Sequence, residues 1–331
     1  MIATVEPILR VEDLRISFET KRGSVRAVDG VDLAVGPGEI LGLVGESGSG
    51  KSVTLRAIAR LLPANASIDG GVLWRGEDVG TMPKARLRRM RGAEIGLIFQ
   101  EPMTALNPVL SVGLQIDESL VAHTDLGREA RRQRAVELLR LVGIPAAQER
   151  LRNYPHEFSG GMRQRAMIAI ALAAQPQLLL ADEPTTALDV TIQDQILKLL
   201  TRLVGQLGMG MILVSHDLGV IAQTCDRVAV MYAGRIAETG PVEAIFRRPR
   251  HAYTHALLNS MPESGPARTA LQPIRGQPPR LDRPIEGCPF VPRCAYAMEV
   301  CARRPALMPV ASGHVAACYA ADLLPGRELA A

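Results

Sequence analysis

The stretch Ile40-Leu41-Gly42-Leu43-Val44-Gly45-Glu46-Ser47-Gly48-Ser49-Gly50-Lys51-Ser52 constrains this chain more than any other. An apolar run ends in a glycine-rich turn, and Lys-Ser leads into a helix-like segment from Val53 to Leu62. Gly45 to Ser52 fits G-x-x-x-x-G-K-[ST], the P-loop pattern. Glycines let backbone N–H groups approach phosphate oxygens with no Cβ in the way. A helix beginning at the loop adds its positive dipole end. In this pattern Lys51 is the point charge for β- and γ-phosphates, and the Ser52 hydroxyl is a Mg²⁺ ligand. The expected phosphate-binding set is therefore Gly45, Glu46, Ser47, Gly48, Ser49, Gly50, Lys51 and Ser52.

The rest of the chain supplies a sheet for this loop. Ile8 to Phe18 and Val25 to Val35 are β-rich runs around a polar turn, which predicts an antiparallel hairpin. Phe18 fits an adenine-stacking platform or a core-facing strand residue equally well. Short strands are expected at Val72–Trp74 and Ile95–Phe99, with the basic segment Lys84 to Arg91 between them read as a solvated helix face. From about Val112 to Ala174 the pattern is helical. Within it Ala135, Leu138, Leu139 and Val142 form one apolar face, ended by Gly143 and Pro145. Leu178–Ala181, Met211–Val214 and Val228–Tyr232 read as buried strands. Strands alternating with helices predict a mostly parallel sheet. Such sheets bind ligands at the carboxyl ends of their strands, where Gly45, Gln100, Asp182, Glu183 and His216 fall. Asp182 after four apolar residues is a Walker B pattern, expected to hold Mg²⁺. Glu183 is placed to accept a proton from, or orient, an attacking water.

Phe158-Ser159-Gly160-Gly161-Met162-Arg163-Gln164-Arg165 resembles the signature motif of ABC ATPases, with Met162 where glutamine is usual. Gln100 matches the family's Q-loop, Ala187-Leu188-Asp189 its D-loop and His216 its switch histidine, in the family's order. The resemblance implies an α/β fold of the ABC-type P-loop NTPase class. That fold has a mostly parallel core sheet, an antiparallel β subdomain and an inserted helical subdomain, here about 105–175. It also implies a dimer sandwiching two ATP molecules. Each ATP would meet the P-loop of one chain and Ser159, Gly160, Gly161 and Asp189 of the other. Glu183, His216 and Gln100 are then the catalytic set, and Ser52, Gln100 and Asp182 the Mg²⁺ set.

Further along, Leu188-Asp189-Val190-Thr191-Ile192-Gln193, Pro249-Arg250-His251-Ala252-Tyr253-Thr254 and Gly287-Cys288-Pro289-Phe290-Val291-Pro292-Arg293-Cys294 resemble the ATPases of dipeptide and oligopeptide importers. Such importers combine two similar ATPases, two membrane permeases and an extracytoplasmic substrate-binding protein. The Met162 form looks like one of the two ATPases, which implies a heterodimer and leaves a homodimer open. The Gln100 loop, to about Leu110, would meet a permease. Importers of nickel and other small solutes share most of these motifs, so the solute stays open. The implied location is peripheral, at the cytoplasmic membrane face. Non-transport ABC proteins of DNA repair or translation usually carry coiled-coil insertions or two cassettes per chain. This chain has neither, and no nucleic-acid partner is expected.

The expected division is an ATPase domain over 1–246 and an extension over 247–331 with a Pro/Arg-rich connector. Cys288, Cys294, Cys301 and Cys318 crowd that extension with intervening gaps of five, six and sixteen residues. Zinc sites favour gaps of two to four, so zinc fits poorly. A 4Fe–4S cluster suits four thiolates in a segment with little core, and importer ATPases of this type resemble the chain here; four buried reduced thiols are the alternative. ATP binding is expected to be independent of this extension.

Composition fits this reading. Among 331 residues, a net charge of +4 favours neither nucleic acid nor anionic lipid, and 3% aromatics supply little for base stacking. No apolar run approaches a membrane span, and Met1 to Arg10 lacks a secretory pattern, so a cytosolic chain without disulfides is expected.

Overall fold

The structure, a computed structural model, describes residues 6–21, 23–99, 105–186, 188–260 and 273–327. Its strands are β1 (Leu9–Thr20), β2 (Gly23–Val35), β3 (Ile40–Val44), β4 (Ala66–Trp74), β5 (Glu77–Asp78), β6 (Ile95–Ile98), β7 (Leu178–Asp182), β8 (Gly210–Val214), β9 (Arg227–Tyr232), β10 (Arg235–Pro241), β11 (Met308–Ala311) and β12 (His314–Ala316). The chain divides into two units: Met1–Ile8, Val35–Ile40 and Trp74–Val214 in the first, and Leu9–Ala34, Leu41–Leu73 and Ser215–Ala331 in the second. Among the described residues no helix is long and apolar enough to cross a membrane.

In the first unit, β6, β7 and β8 run parallel, with Ile95 opposite Leu178 and Leu178 opposite Gly210. Every residue of β7 and β8 is buried, as expected for parallel strands covered on both faces. The helical block contains Val112–His123, Arg128–Leu141 and Gly160–Ala171. Ala135, Leu138, Leu139 and Val142 are buried, so the predicted apolar face is the packed one. Gly143, at φ 76°, turns the chain out of that helix, and bonds from Gly143 N to Arg140 O and Ile144 N to Leu139 O, 2.9 and 2.8 Å, satisfy its last carbonyls. The basic segment forms the helix Lys84–Arg89. There Arg86 pairs with Glu77 and Glu94, and Leu87 faces inward.

In the second unit the strand order is β11-β12-β10-β9-β3, with β1 between β2 and β4 in a separate sheet. β3 runs parallel to β9, Leu41 opposite Arg227 and Val44 opposite Val230. β9 and β10 are antiparallel, joined by Ala233 and Gly234 at φ 49° and 79°. Two consecutive positive φ values are those of a type I′ turn, which matches the twist of a two-residue hairpin. β12 then pairs with β10, Glu238 opposite Ala316 and Thr239 opposite Val315. This pairing carries the late part of the chain into the sheet that holds β3, which sequence periodicity did not indicate. Residues 273–286 contain no helix or strand, and the first part of the expected connector lies outside the described residues.

Candidate nucleotide site

The P-loop belongs to the second unit. It leaves β3 at Gly45 and ends at the helix Lys51–Ile58. Glycine is required at Gly45 and Gly50, with φ 149° and 106°. A Cβ at Gly45 would stand 2.1 Å from Met231 O, and one at Gly50 would stand 2.6 Å from Ala27 O. At Gly48, φ 79°, a Cβ would meet nothing within 4 Å, so the loop opens outward there. Lys51 Nζ donates to Gly45 O at 2.8 Å and Glu46 O at 3.0 Å, which holds the ammonium over the loop. Ser49 Oγ is buried and has no hydrogen-bond partner among the described residues. Ser47 and Gly48 are exposed, and Ser52 is half-buried in the first helical turn. An open glycine cradle, a buried hydroxyl and a confined cation fit the phosphates of a nucleotide.

His216 lies in the same unit and is exposed. It follows Ser215, whose N–H donates to Leu43 O at 3.4 Å, so it leaves the sheet beside the strand that feeds the P-loop. Phe18, half-buried on β1, shares a face with the buried Leu14 and Ile16. Cys225 is a packing residue: a Cβ on Gly42 would stand 3.0 Å from its Sγ, and burial raises its thiol pKa.

The first unit holds the other predicted residues. Asp182 ends β7 and is buried. Glu183 adopts φ 47°, a left-handed backbone that costs a non-glycine residue energy and recurs at functional sites. Its N–H bonds Val214 O at 3.1 Å, and its carboxylate accepts the Thr186 hydroxyl at 2.8 Å. Ser159 caps the helix Gly160–Ala171, accepting Met162 N–H at 3.3 Å. Ser159 and Gly160 are exposed and Gly161 is buried, so the helix opens to solvent at its first residue. Asp189 caps the helix Val190–Leu207 through Ile192 N–H at 2.9 Å. The two helix starts lie together: a Cβ on Gly161 would be 2.8 Å from Ile192 Cγ2. Gln100 and Ala187 lie outside the described residues.

Sequence reasoning missed the surroundings of Glu46. Arg293 forms a bidentate pair with the Glu46 carboxylate at 2.6 and 2.8 Å, and Tyr253 Oη accepts the Glu46 N–H at 2.8 Å. It also missed Glu238. Its fully buried carboxylate accepts N–H groups of Arg250 and His251 at 2.6 and 3.0 Å and pairs with His314 Nε2 at 2.6 Å. Arg250, His251, Tyr253 and Arg293 lie in the segments Pro249–Thr254 and Gly287–Cys294 singled out above, but nothing local in those segments names Glu238 or Glu46 as the partner.

Cys288, Cys294, Cys301 and Cys318 are free thiols within electrostatic reach of one another. Burial is the largest cause raising the pKa of Cys288, Cys294 and Cys318. Among the described residues no three His, Cys, Asp or Glu side chains form a group that could hold a metal ion. Burial thus favours the neutral thiol at Cys288, Cys294 and Cys318, and the spacing of the side chains does not fit a bound ion.

Residues 28–186 match the family described as ABC transporter, and residues 237–301 match the family described as oligopeptide/dipeptide transporter, C-terminal region. The chain is 50% identical over 327 residues to a putative peptide import ATP-binding protein of Brucella abortus, covering 95% of this chain and 97% of the relative. It is 52% identical over 299 residues to the oligopeptide transport ATP-binding protein OppD of Bacillus subtilis, covering 89% and 84%. Among solved structures it resembles a dimeric ATP-binding cassette in a post-hydrolysis state bound to ADP and Pi. The TM-score is 0.64 at 28% identity, over 71% of this chain and 98% of that one. It also resembles cbiO1 of Clostridium perfringens, described as part of the ABC transporter complex cbiONQ, with TM-score 0.63 at 28% identity, over 73% and 91%. The chain therefore belongs to the ABC transporter family, among the ATP-binding subunits that carry the oligopeptide/dipeptide transporter C-terminal region.

Proposed function

We propose that this chain is the ATP-hydrolysing, energy-coupling subunit of a peptide importer. The observation that carries the ATP reading is the P-loop itself, with its open turn at Gly48 and Lys51 Nζ held on the loop carbonyls. Its similarity to peptide import and oligopeptide transport ATP-binding proteins, extending through the C-terminal region, supports peptides as the solute class.

In this reading the N–H groups of Gly45 to Ser52 and the Lys51 ammonium bind the phosphate chain. Phe18 stacks on the base. Ser52, Asp182 and Gln100 are assigned as Mg²⁺ ligands. Bound Mg²⁺ would neutralise charge developing on the transferred phosphoryl group. Glu183 orients the attacking water and accepts its proton, and the Thr186 hydroxyl aims its carboxylate. His216 contacts the γ-phosphate. Ser159, Gly160 and Gly161 are assigned to a γ-phosphate held by a second ATPase subunit, which the exposure of Ser159 and Gly160 at the helix start suits. Asp189 fixes the neighbouring helix start. The partners in this proposal are a second, homologous ATPase subunit in a heterodimer, two permeases and, through them, an extracytoplasmic binding protein. The subunit sits peripherally at the cytoplasmic membrane face.

The iron–sulfur assignment of Cys288, Cys294, Cys301 and Cys318 rests on donor chemistry alone, and no step of the reaction is routed through a cluster. Anaerobically purified protein with iron and acid-labile sulfide near four per chain would support it, and a preparation without iron would remove it.

Glu183→Gln tests the central assignment. In the assembly with its permeases, ATP affinity should stay near native while turnover falls by about a hundredfold or more, because a carboxamide keeps the shape and cannot take a proton. Near-native turnover would take Glu183 out of the role.

A further inference from the structure

We propose that Arg293 is a positioning residue of the P-loop, through which the turn between Cys288 and Cys294 sets how well the loop receives a nucleotide. The inference rests on the reading of Gly45–Ser52 as the ATP site. Arg293 lies 247 residues beyond Glu46 in sequence. Its Nη1 donates to Glu46 Oε2 at 2.6 Å and its Nη2 to Oε1 at 2.8 Å, the two-pronged geometry that guanidinium and carboxylate form best. Two further donors of the guanidinium are also used, Nη1 on Tyr232 Oη at 3.3 Å and Nε on Arg275 O at 3.0 Å. The Arg293 side chain is 4% exposed and that of Glu46 25%, so water screens the pair weakly. The pair and its hydrogen bonds hold Arg293 strongly in its charged form.

Arg293 is itself fixed. It ends the short 3₁₀ turn Val291–Arg293, and its N–H bonds Phe290 O at 2.9 Å. The Phe290 ring is buried edge-on against Tyr232 and Tyr253, with centroids 5.3 and 5.4 Å away. Tyr253 in turn accepts the Glu46 N–H. Glu46 is thereby held at its N–H by Tyr253 and at its carboxylate by Arg293. Its carbonyl then accepts Lys51 Nζ at 3.0 Å and Ser49 N at 3.2 Å. A chain of bonds runs from the cysteine turn to the lysine that meets the phosphates.

The electrostatic consequence has a definite sign. Glu46 places a negative charge inside a loop built for an anion. Paired with Arg293 it is neutralised, and its carboxylate is turned onto the guanidinium. Without Arg293 the charge stands uncompensated and repels phosphate.

The test is equilibrium titration of the purified full chain with a fluorescent ATP analogue and Mg²⁺, with thermal unfolding followed in parallel. Arg293→Ala should weaken binding about tenfold, the scale of one lost charge-assisted contact. Arg293→Lys should fall between, since a point charge lacks the fork. Arg293→Ala combined with Glu46→Gln should bind within about threefold of the native chain, because the repelling charge has gone, with binding compared at a temperature where the unfolding curves show every variant folded. A structural role alone predicts no such recovery. Native affinity in Arg293→Ala, or a double variant no better than Arg293→Ala, overturns the proposal. If Arg293→Ala does not fold, Arg293→Gln with and without Glu46→Gln makes the same comparison, since glutamine removes the charge but keeps a long hydrogen-bonding side chain. Lys51→Ala, titrated alongside, separates the two levels: if it too binds normally, the P-loop reading is at fault.

Discussion

His251→Asn should remove a proton-linked weakness while keeping the helix cap that His251 supplies. His251 is 4% exposed, and its Nδ1 accepts the Tyr253 N–H at 3.0 Å at the start of the helix Ala252–Asn259. Burial lowers its pKa from 6.5 to about 4, against a smaller opposite pull from the Glu238 carboxylate. The geometry requires the neutral ring, because a proton on Nδ1 would face the Tyr253 N–H it now accepts. Between pH 6.5 and about 4 the unfolded chain binds a proton that the folded chain refuses, so stability rises with pH in that window and falls as pH drops through it. The full difference, 6.5 against about 4, is worth about 3 kcal/mol, most of which is lost by pH 4.5. Asparagine is a strong helix N-cap and does not titrate. Urea unfolding at pH 7.5 and pH 4.5 gives the comparison. At the higher pH the two chains should agree within about 1 kcal/mol. At the lower pH the variant should be more stable by about 2 kcal/mol, the burial penalty being absent. Equal losses on acidification in both chains would refute the assignment of that penalty to His251.

Lys51→Ala should abolish transport and weaken ATP binding at least about tenfold, since the loop loses its cation; binding of the ATP analogue reports it. Gly161→Val should disturb the paired helix starts, because even its first carbon would stand 2.8 Å from Ile192 Cγ2. A loss of about 1–3 kcal/mol in urea unfolding is expected. Glu238→Ala strands the N–H groups of Arg250 and His251 and the ring of His314 in a buried site, for a cost of about 3–5 kcal/mol. A loss under about 1 kcal/mol in the same assay would mean that water or another acceptor reaches those donors.

Where function depends on contiguous residues, the chain could be read directly. The P-loop conformation follows from Gly45 and Gly50, whose positive φ only glycine adopts freely, and the pattern records both. Buried strands such as β7 and β8 are continuous apolar runs. The helix over Arg128–Leu141 announces itself through Ala135, Leu138 and Leu139. What stayed hidden depends on pairing between distant segments. β12 is three residues long, too short for a period to register. Arg293 lies among prolines and cysteines, where a lone arginine gives no sign of a partner 247 residues earlier. The Glu183 backbone is also invisible in sequence, because its left-handed φ is imposed by the strand end and Thr186 rather than by its own preference.

The pairing of β12 with β10 bears on where the chain can be cut. The C-terminal family match ends at residue 301, ahead of β11 and β12. A shortened chain ending there would keep the cysteine turn and lose the hairpin. β10 would become an outer strand with N–H and C=O groups bared around Ala237–Thr239, and the Glu238 carboxylate would lose His314. A strand bared in this way is a template for another copy of itself, and natural proteins cover or charge such strands to prevent sheet-to-sheet association. The β11–β12 hairpin thus covers a sheet edge, and its removal should appear as concentration-dependent aggregation before any loss in nucleotide binding.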